Sequence, residues 1–174
     1  MATFTPLLNL RKADPTEFVQ NILDINENMD KLDTLGSVVG GGAWTPYVPV
    51  WGSTGTPPAL GNGTLVGSYH QVGKTVDIRV KLVPGSTSSY GTGNWNFTLP
   101  AGMVGKDALR YYSAGGLIQA AGFFLMMAIV NDTNIFSIMC ADNTIGNVSN
   151  ISSTHPQAWG SGNIVDVNMR IEIL

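Results

Sequence analysis

The residues best suited by type and spacing to do chemistry lie in G-S-Y-H-Q-V-G-K-T-V, Gly67 to Val76. A glycine followed by G-K-T is the skeleton of a loop that cradles phosphate on successive backbone N–H groups, between a buried strand and a helix. Here Gly67 stands six residues before Gly73, one more than that tight loop has. The residues after Gly73-Lys74 decide the reading. Val76, Ile78, Val80 and Leu82 alternate with Thr75, Asp77, Arg79 and Lys81, the period of two of a half-buried strand. No helix N-terminus then follows to receive an anion. Upstream, Leu65, Gly67, Tyr69 and Gln71 alternate with Val66, Ser68, His70 and Val72 in the same way. Gly73-Lys74 is therefore predicted to be the tip of a β-hairpin, with Gly73 supplying the positive φ of a tight turn.

Other reactive types are sparse. His70 falls in a predicted strand near that turn, and His155 in a loop before Pro156. The spacings H-E-x-x-H, H-x-H and C-x-x-C do not occur, so a metal would need ligands gathered from distant strands. The single cysteine, Cys140, excludes an internal disulfide framework. It ends an apolar run and reads as a small core residue, not a nucleophile. Beyond the N-terminal region the carboxylates are scattered: Asp77, Asp107, Asp132, Asp142, Asp166 and Glu172. Nothing local pairs them across a cleft as a glycosidase requires. G-N-G-T-L-V-G at 61–67 lacks the dinucleotide spacing and precedes a strand. No catalytic, cofactor or metal residue is assigned, and the chain is read as no enzyme. Among the aromatics, Trp51, Tyr90 and Trp159 fall between Gly and Ser. Exposed rings there would stack on a sugar, which makes them candidate contacts for a surface glycan. Alternatively, the same rings cap the ends of a β core or pack between subunits.

The elements that would position these residues differ sharply along the chain. Residues 14–33 hold six of the twelve acidic residues. Asp14 as N-cap, Pro15 in the first turn and Glu17 closing a capping box start a helix. Phe18, Ile22, Ile25, Met29 and Leu32 follow at spacings of four, three, four and three, a coiled-coil seam with Ile22 and Met29 at a and the others at d. Two heptads are marginal alone in water, so the seam asks for partners, either copies of itself or the β-domain. Gly36 to Gly42, G-S-V-V-G-G-G, reads as a linker that favours copies. The predicted order is an extended anchor segment over 1–13, a helix over 14–35, a linker over 36–43 and a β body over 44–174. Some eight short strands separated by turn clusters suggest an antiparallel β-sandwich, jelly-roll-like. Trp95, Phe97 and Leu99 face inward, as do Val165, Val167, Met169, Ile171 and Ile173 in the last strand.

Composition agrees with a turn-rich β body. Charged residues make up only 12% of 174, and the net charge of −3 gives no electrostatic reason to expect nucleic acid. Five N-x-[ST] sequons, at Asn62, Asn96, Asn131, Asn147 and Asn150, read as by-products of an Asn/Thr/Ser-rich surface. The N-terminus shows no secretory signal pattern. The most apolar run, Leu117 to Val130, is 14 residues long, too short for a membrane span.

W-T-P-Y-V-P-V-W (Trp44 to Trp51), the stretch Gly61 to Leu82, and G-S-T-S-S-Y-G-T-G-N-W-N-F-T-L-P (Gly85 to Pro100) together resemble a module of minor tail and fibre-like proteins of phages infecting actinobacteria. L-R-K-A-D-P (Leu10 to Pro15) with D-I-N-E-N-M-D-K-L-D (Asp24 to Asp33) is similar to the leader joined to such modules. The resemblance covers roughly residues 8–100 and implies no active site. It implies a virion structural protein, a homotrimer whose N-terminal segment meets other virion proteins and whose β-domain faces outward, touching a host-surface glycan. A capsid decoration or head fibre, or a carbohydrate-binding module or glycan hydrolase, are the alternatives.

Overall fold

The computed structural model describes residues 25–34, 42–106, 122–130, 134–141 and 148–174, and the backbone of 113–119. The chain divides into two units, Met1–Gly42 and Ala43–Leu174. In the first, residues 25–34 form a helix, α1. Ile25, Met29 and Leu32 share one face of it by their spacing and are 58%, 55% and 41% exposed. The expected anchor, the Asp14 cap, Phe18, Ile22 and residues 36–41 of the glycine linker lie outside the described residues.

The second unit is β throughout. Its strands are β1 (Thr45–Tyr47), β2 (Trp51–Ser53), β3 (Thr64–Val72), β4 (Thr75–Val83), β5 (Trp95–Thr98), β6 (Ser113–Gln119), β7 (Gly122–Val130), β8 (Ile135–Ala141), β9 (Val148–Asn150) and β10 (Ile164–Glu172). Among the described residues ten strands form, two more than the turn signals suggested, because three-residue strands such as β1 and β9 are too short to show a period. The hydrogen-bonded order is β1-β3-β4-β10-β6-β7-β8-β5-β2, with β9 beside β5 on the same edge of β8. Every pairing is antiparallel.

The two ends of this order, β1 and β2, are joined by residues 48–50 alone. So short a link forces the sheet to turn back until its ends approach. Tyr47, at one end, reaches the Thr98 carbonyl of β5 at 3.5 Å. The folded sheet is a sandwich with its core between the two halves. From one half come Val76, Ile78, Val80 and Leu82 of β4 and Val165, Val167, Met169 and Ile171 of β10. Trp95, Phe97, Met126, Ala128, Phe136, Ile138 and Cys140 come from the other, all 5% exposed or less. The period of two read from β4 and β10 thus lands in register, with Val167 opposite Val80 and Ile171 opposite Val76.

The β3–β4 hairpin forms as expected. Val72 pairs with Thr75 across Gly73-Lys74, and Gly73 has φ +60°. Residues 117–130 belong largely to β6 and β7, and no described helix is long and apolar enough to cross a membrane.

Candidate functional surfaces

The G-K-T of the opening motif sits at a solvent-exposed hairpin tip, where a Cβ on Gly73 would meet nothing within 4 Å. Gly67 is a glycine for another reason. A Cβ there would lie 2.5 Å from the Tyr47 ring, so the bare backbone of β3 is the seat on which β1 packs. Burial pushes the Tyr47 phenol well above its ordinary value.

The three candidate glycan rings belong to an aromatic cluster at one end of the sandwich. Trp51 and Trp159 are buried, at 6% and 8% exposure, and Tyr90 is half-buried. They surround Trp95, with ring centroids 4.7 Å (Trp51), 6.2 Å (Tyr90) and 4.6 Å (Trp159) away. The Trp95 indole N–H donates to the Tyr90 carbonyl at 3.0 Å and that of Trp159 to the Ser152 carbonyl at 2.8 Å. Trp51 and Trp159 thus pack on the Trp95 ring within the core, while Tyr90 keeps part of its ring exposed. Long-range pairing brings this about, since Trp51 lies opposite Phe97 on β5 and Ser53 opposite Trp95.

Cys140 and His155 meet, with Sγ 3.3 Å from Nε2. At 1% exposure the thiol is sealed from any substrate, and the contact reads as packing between β8 and the loop after β9. Fifteen residues separate the two, and no local pattern could have signalled the pairing. Among the described residues no three His, Cys, Asp or Glu side chains gather to hold a metal.

The outer faces of the two halves differ in chemistry. On β4 and β10 the outward residues include Asp77, Arg79, Lys81, Asp166, Arg170 and Glu172. Arg170 forks onto Asp77 at 2.7 and 2.9 Å, and these hydrogen bonds hold the Asp77 carboxyl below its usual value. Lys106 holds Glu172 at 2.7 Å. Trp44 lies over this face, with the Arg79 guanidinium 3.9 Å from its ring centroid and the His70 ring 5.9 Å away. Trp44, Asp77, Arg79, Asn168 and Arg170 line a shallow cleft of about 420 Å³. An indole beside charged and amide groups can offer a polar ligand both a stacking plane and hydrogen bonds. Sequence reading passed over Trp44 because only the β3–β4–β10 pairing brings Arg79 and Asn168 beside it.

The strands of the other half carry no charged side chain. β6, β7, β8 and β9 contain no Asp, Glu, Lys or Arg. On β7 the inward Met126 and Ala128 alternate with outward Phe123, Leu125 and Met127. Phe123 is 64% and Leu125 73% exposed.

With fold and surfaces in place, comparison with known proteins finds a likeness to a phage tail fibre protein in sequence and to a phage tailspike in fold. In sequence, the chain is 31% identical over 134 residues to the Mu-like prophage FluMu defective tail fiber protein of Haemophilus influenzae, covering 73% of this chain and 20% of that one. In fold, it is similar to the crystal structure of the Dettilon tailspike protein, with a TM-score of 0.54 and 18% identity, over 76% of this chain and 24% of the tailspike. That second likeness shows fold alone. The chain thus spans about a fifth of the curated relative and a quarter of the structural neighbour. No family model matches. The relative comes from a Haemophilus prophage, so the comparison supports the tail-fibre side of the resemblance and lends no support to its actinobacterial side.

Proposed function

We propose that the chain is a non-enzymatic structural part of a phage tail, minor tail or fibre-like, that works as a homotrimer. The helical segment assembles it and meets other virion proteins, and the β-unit faces outward. One observation carries this reading: Ile25, Met29 and Leu32 form an apolar seam that is 41–58% exposed on the single chain. A helix with two heptads gains its stability from burying such a stripe, not from intrinsic propensity. The likeness to a tail fibre protein favours a tail over a capsid position. For a host-surface glycan the charged side around Trp44 is the better-supported contact, because Trp51 and Trp159 are buried. The non-enzymatic reading is supported by the described carboxylates. Arg170 holds the Asp77 carboxyl below its usual value, which makes it a poor general acid, and Glu172 is engaged by Lys106.

Sedimentation velocity on the full chain tests the seam. Ile25→Asp with Met29→Asp is expected to shift the protein toward smaller species while the β-unit's thermal transition stays in place. An unchanged sedimentation coefficient would remove the seam from the assembly.

A further inference from the structure

We infer that the face around Trp44 takes a carboxylate-bearing sugar, of the uronic- or sialic-acid type, and that Arg79 is the residue that grips the carboxylate. The inference rests on the glycan contact proposed above and names its chemical class.

Arg79 stands at the middle of this face. In register it lies between Ser68 on β3 and Asn168 on β10, with its guanidinium carbon 3.9 Å from the Trp44 ring centroid. The indole restrains a side chain that would otherwise sample many rotamers, so less entropy is lost when a ligand arrives. Among the described residues no hydrogen bond or ion pair occupies the Arg79 N–H fork, whereas Arg170 is committed to Asp77. Arg79 also separates two shallow clefts. Beside the one of about 420 Å³ under Trp44 lies another of about 360 Å³, lined by Val66, Ser68, Lys81 and Asp166. Both reach the lower range of small-ligand pockets, roughly 300 Å³ and up, and they offer room for neighbouring sugar units on either side of the arginine.

Charge and geometry select the ligand. Arg79, Lys81 and Arg170 share the clefts with Asp77 and Asp166, and Glu172 nearby is held by Lys106. One positive charge is left over, which matches a singly charged carboxylate, while the flanking aspartates repel a dianionic phosphate. A planar guanidinium fork takes both carboxylate oxygens at once. The Ser68 hydroxyl and the Asn168 amide flank that fork as partners for ring hydroxyls. Trp44 is 36% exposed, which leaves apolar ring surface for sugar C–H groups. An acidic peptide is the poorer match. β4 is paired on both edges, to β3 and β10, so no strand can be added there and the face offers side chains alone.

Binding of the full chain to an array of immobilised uronic- and sialic-acid oligosaccharides, their neutral counterparts and oligoglutamate tests this. The acidic sugars should bind about tenfold more tightly than the neutral ones, or better. Arg79→Gln should lose that advantage. Lys74→Gln, which removes the same charge at the hairpin tip outside the clefts, should keep it. Equal losses in the two variants would reduce the effect to net charge and overturn the role of Arg79. Acidic and neutral sugars bound alike would overturn the carboxylate assignment while the glycan contact stands. Binding of no sugar would overturn both. Oligoglutamate held as tightly as the acidic sugars would overturn the choice of a sugar. The comparison between sugars needs the wild type alone, so it decides the inference even where Arg79→Gln fails to fold.

Discussion

At the scale of single residues, the aromatic cluster shows how burial and hydrogen bonding separate. Trp95 is 0% exposed and its indole N–H has an acceptor in the Tyr90 carbonyl. Trp51 is nearly as buried, yet its Nε1 has no hydrogen-bond partner. Replacing either with Phe removes ring volume, but only at Trp95 does it take the donor from a part-buried carbonyl, while at Trp51 it removes an unpaired donor. Trp95→Phe should therefore destabilise the fold more than Trp51→Phe, by about 1–2 kcal/mol, in urea titrations. Equal losses would show that the indole hydrogen bond is not a net contributor. These roles were only partly legible. A ring among glycines and serines is ambiguous until the strand pairing is known, and the pairing of Trp51 with Phe97 crosses 46 residues of chain. Gly67 is a similar case. Its spacing suggested a phosphate loop, its alternation denied that, and its reason for being glycine, the Tyr47 ring, lies on another strand.

At the scale of elements, the long strands were legible and their order was not. The period of two in β4 and β10 reports burial on one face directly, and Gly73 marks the turn between β3 and β4. That β10, the last strand, inserts between β4 and β6 leaves no local trace, because antiparallel partners distant in sequence are chosen by collective packing. The β4–β10 pairing is reinforced outside the core by the bidentate Asp77–Arg170 bridge. The guanidinium hydrogen bonds lower the Asp77 pKa in the folded chain, so their stabilisation is complete above the unfolded value of about 3.9 and is lost as pH falls through the folded value. Asp77→Asn should therefore lower the melting temperature modestly at pH 7, with the gap to wild type closing in acid below about pH 4. A gap constant from pH 7 to pH 2 would assign the effect to something other than the carboxylate charge. The exposed position of Arg170 keeps the expected size small.

At the scale of the whole molecule, the features left unexplained by a single chain are apolar surfaces: the seam of α1 and the outer face of β7. The seam's spacing was readable because a helix repeats locally. The β7 patch was hidden, since Leu117 to Val130 reads as one apolar run until the sheet shows which alternate residues point outward. The seam becomes ordinary if copies cover it, and a charged outer face then remains free to meet other molecules. The most direct measurement is the mass of the full chain by multi-angle light scattering across a dilution series. Three times the 18.5 kDa chain mass, persisting to low micromolar concentration, is the result this account predicts. A mass of one chain throughout would contradict it and leave the seam for a different partner.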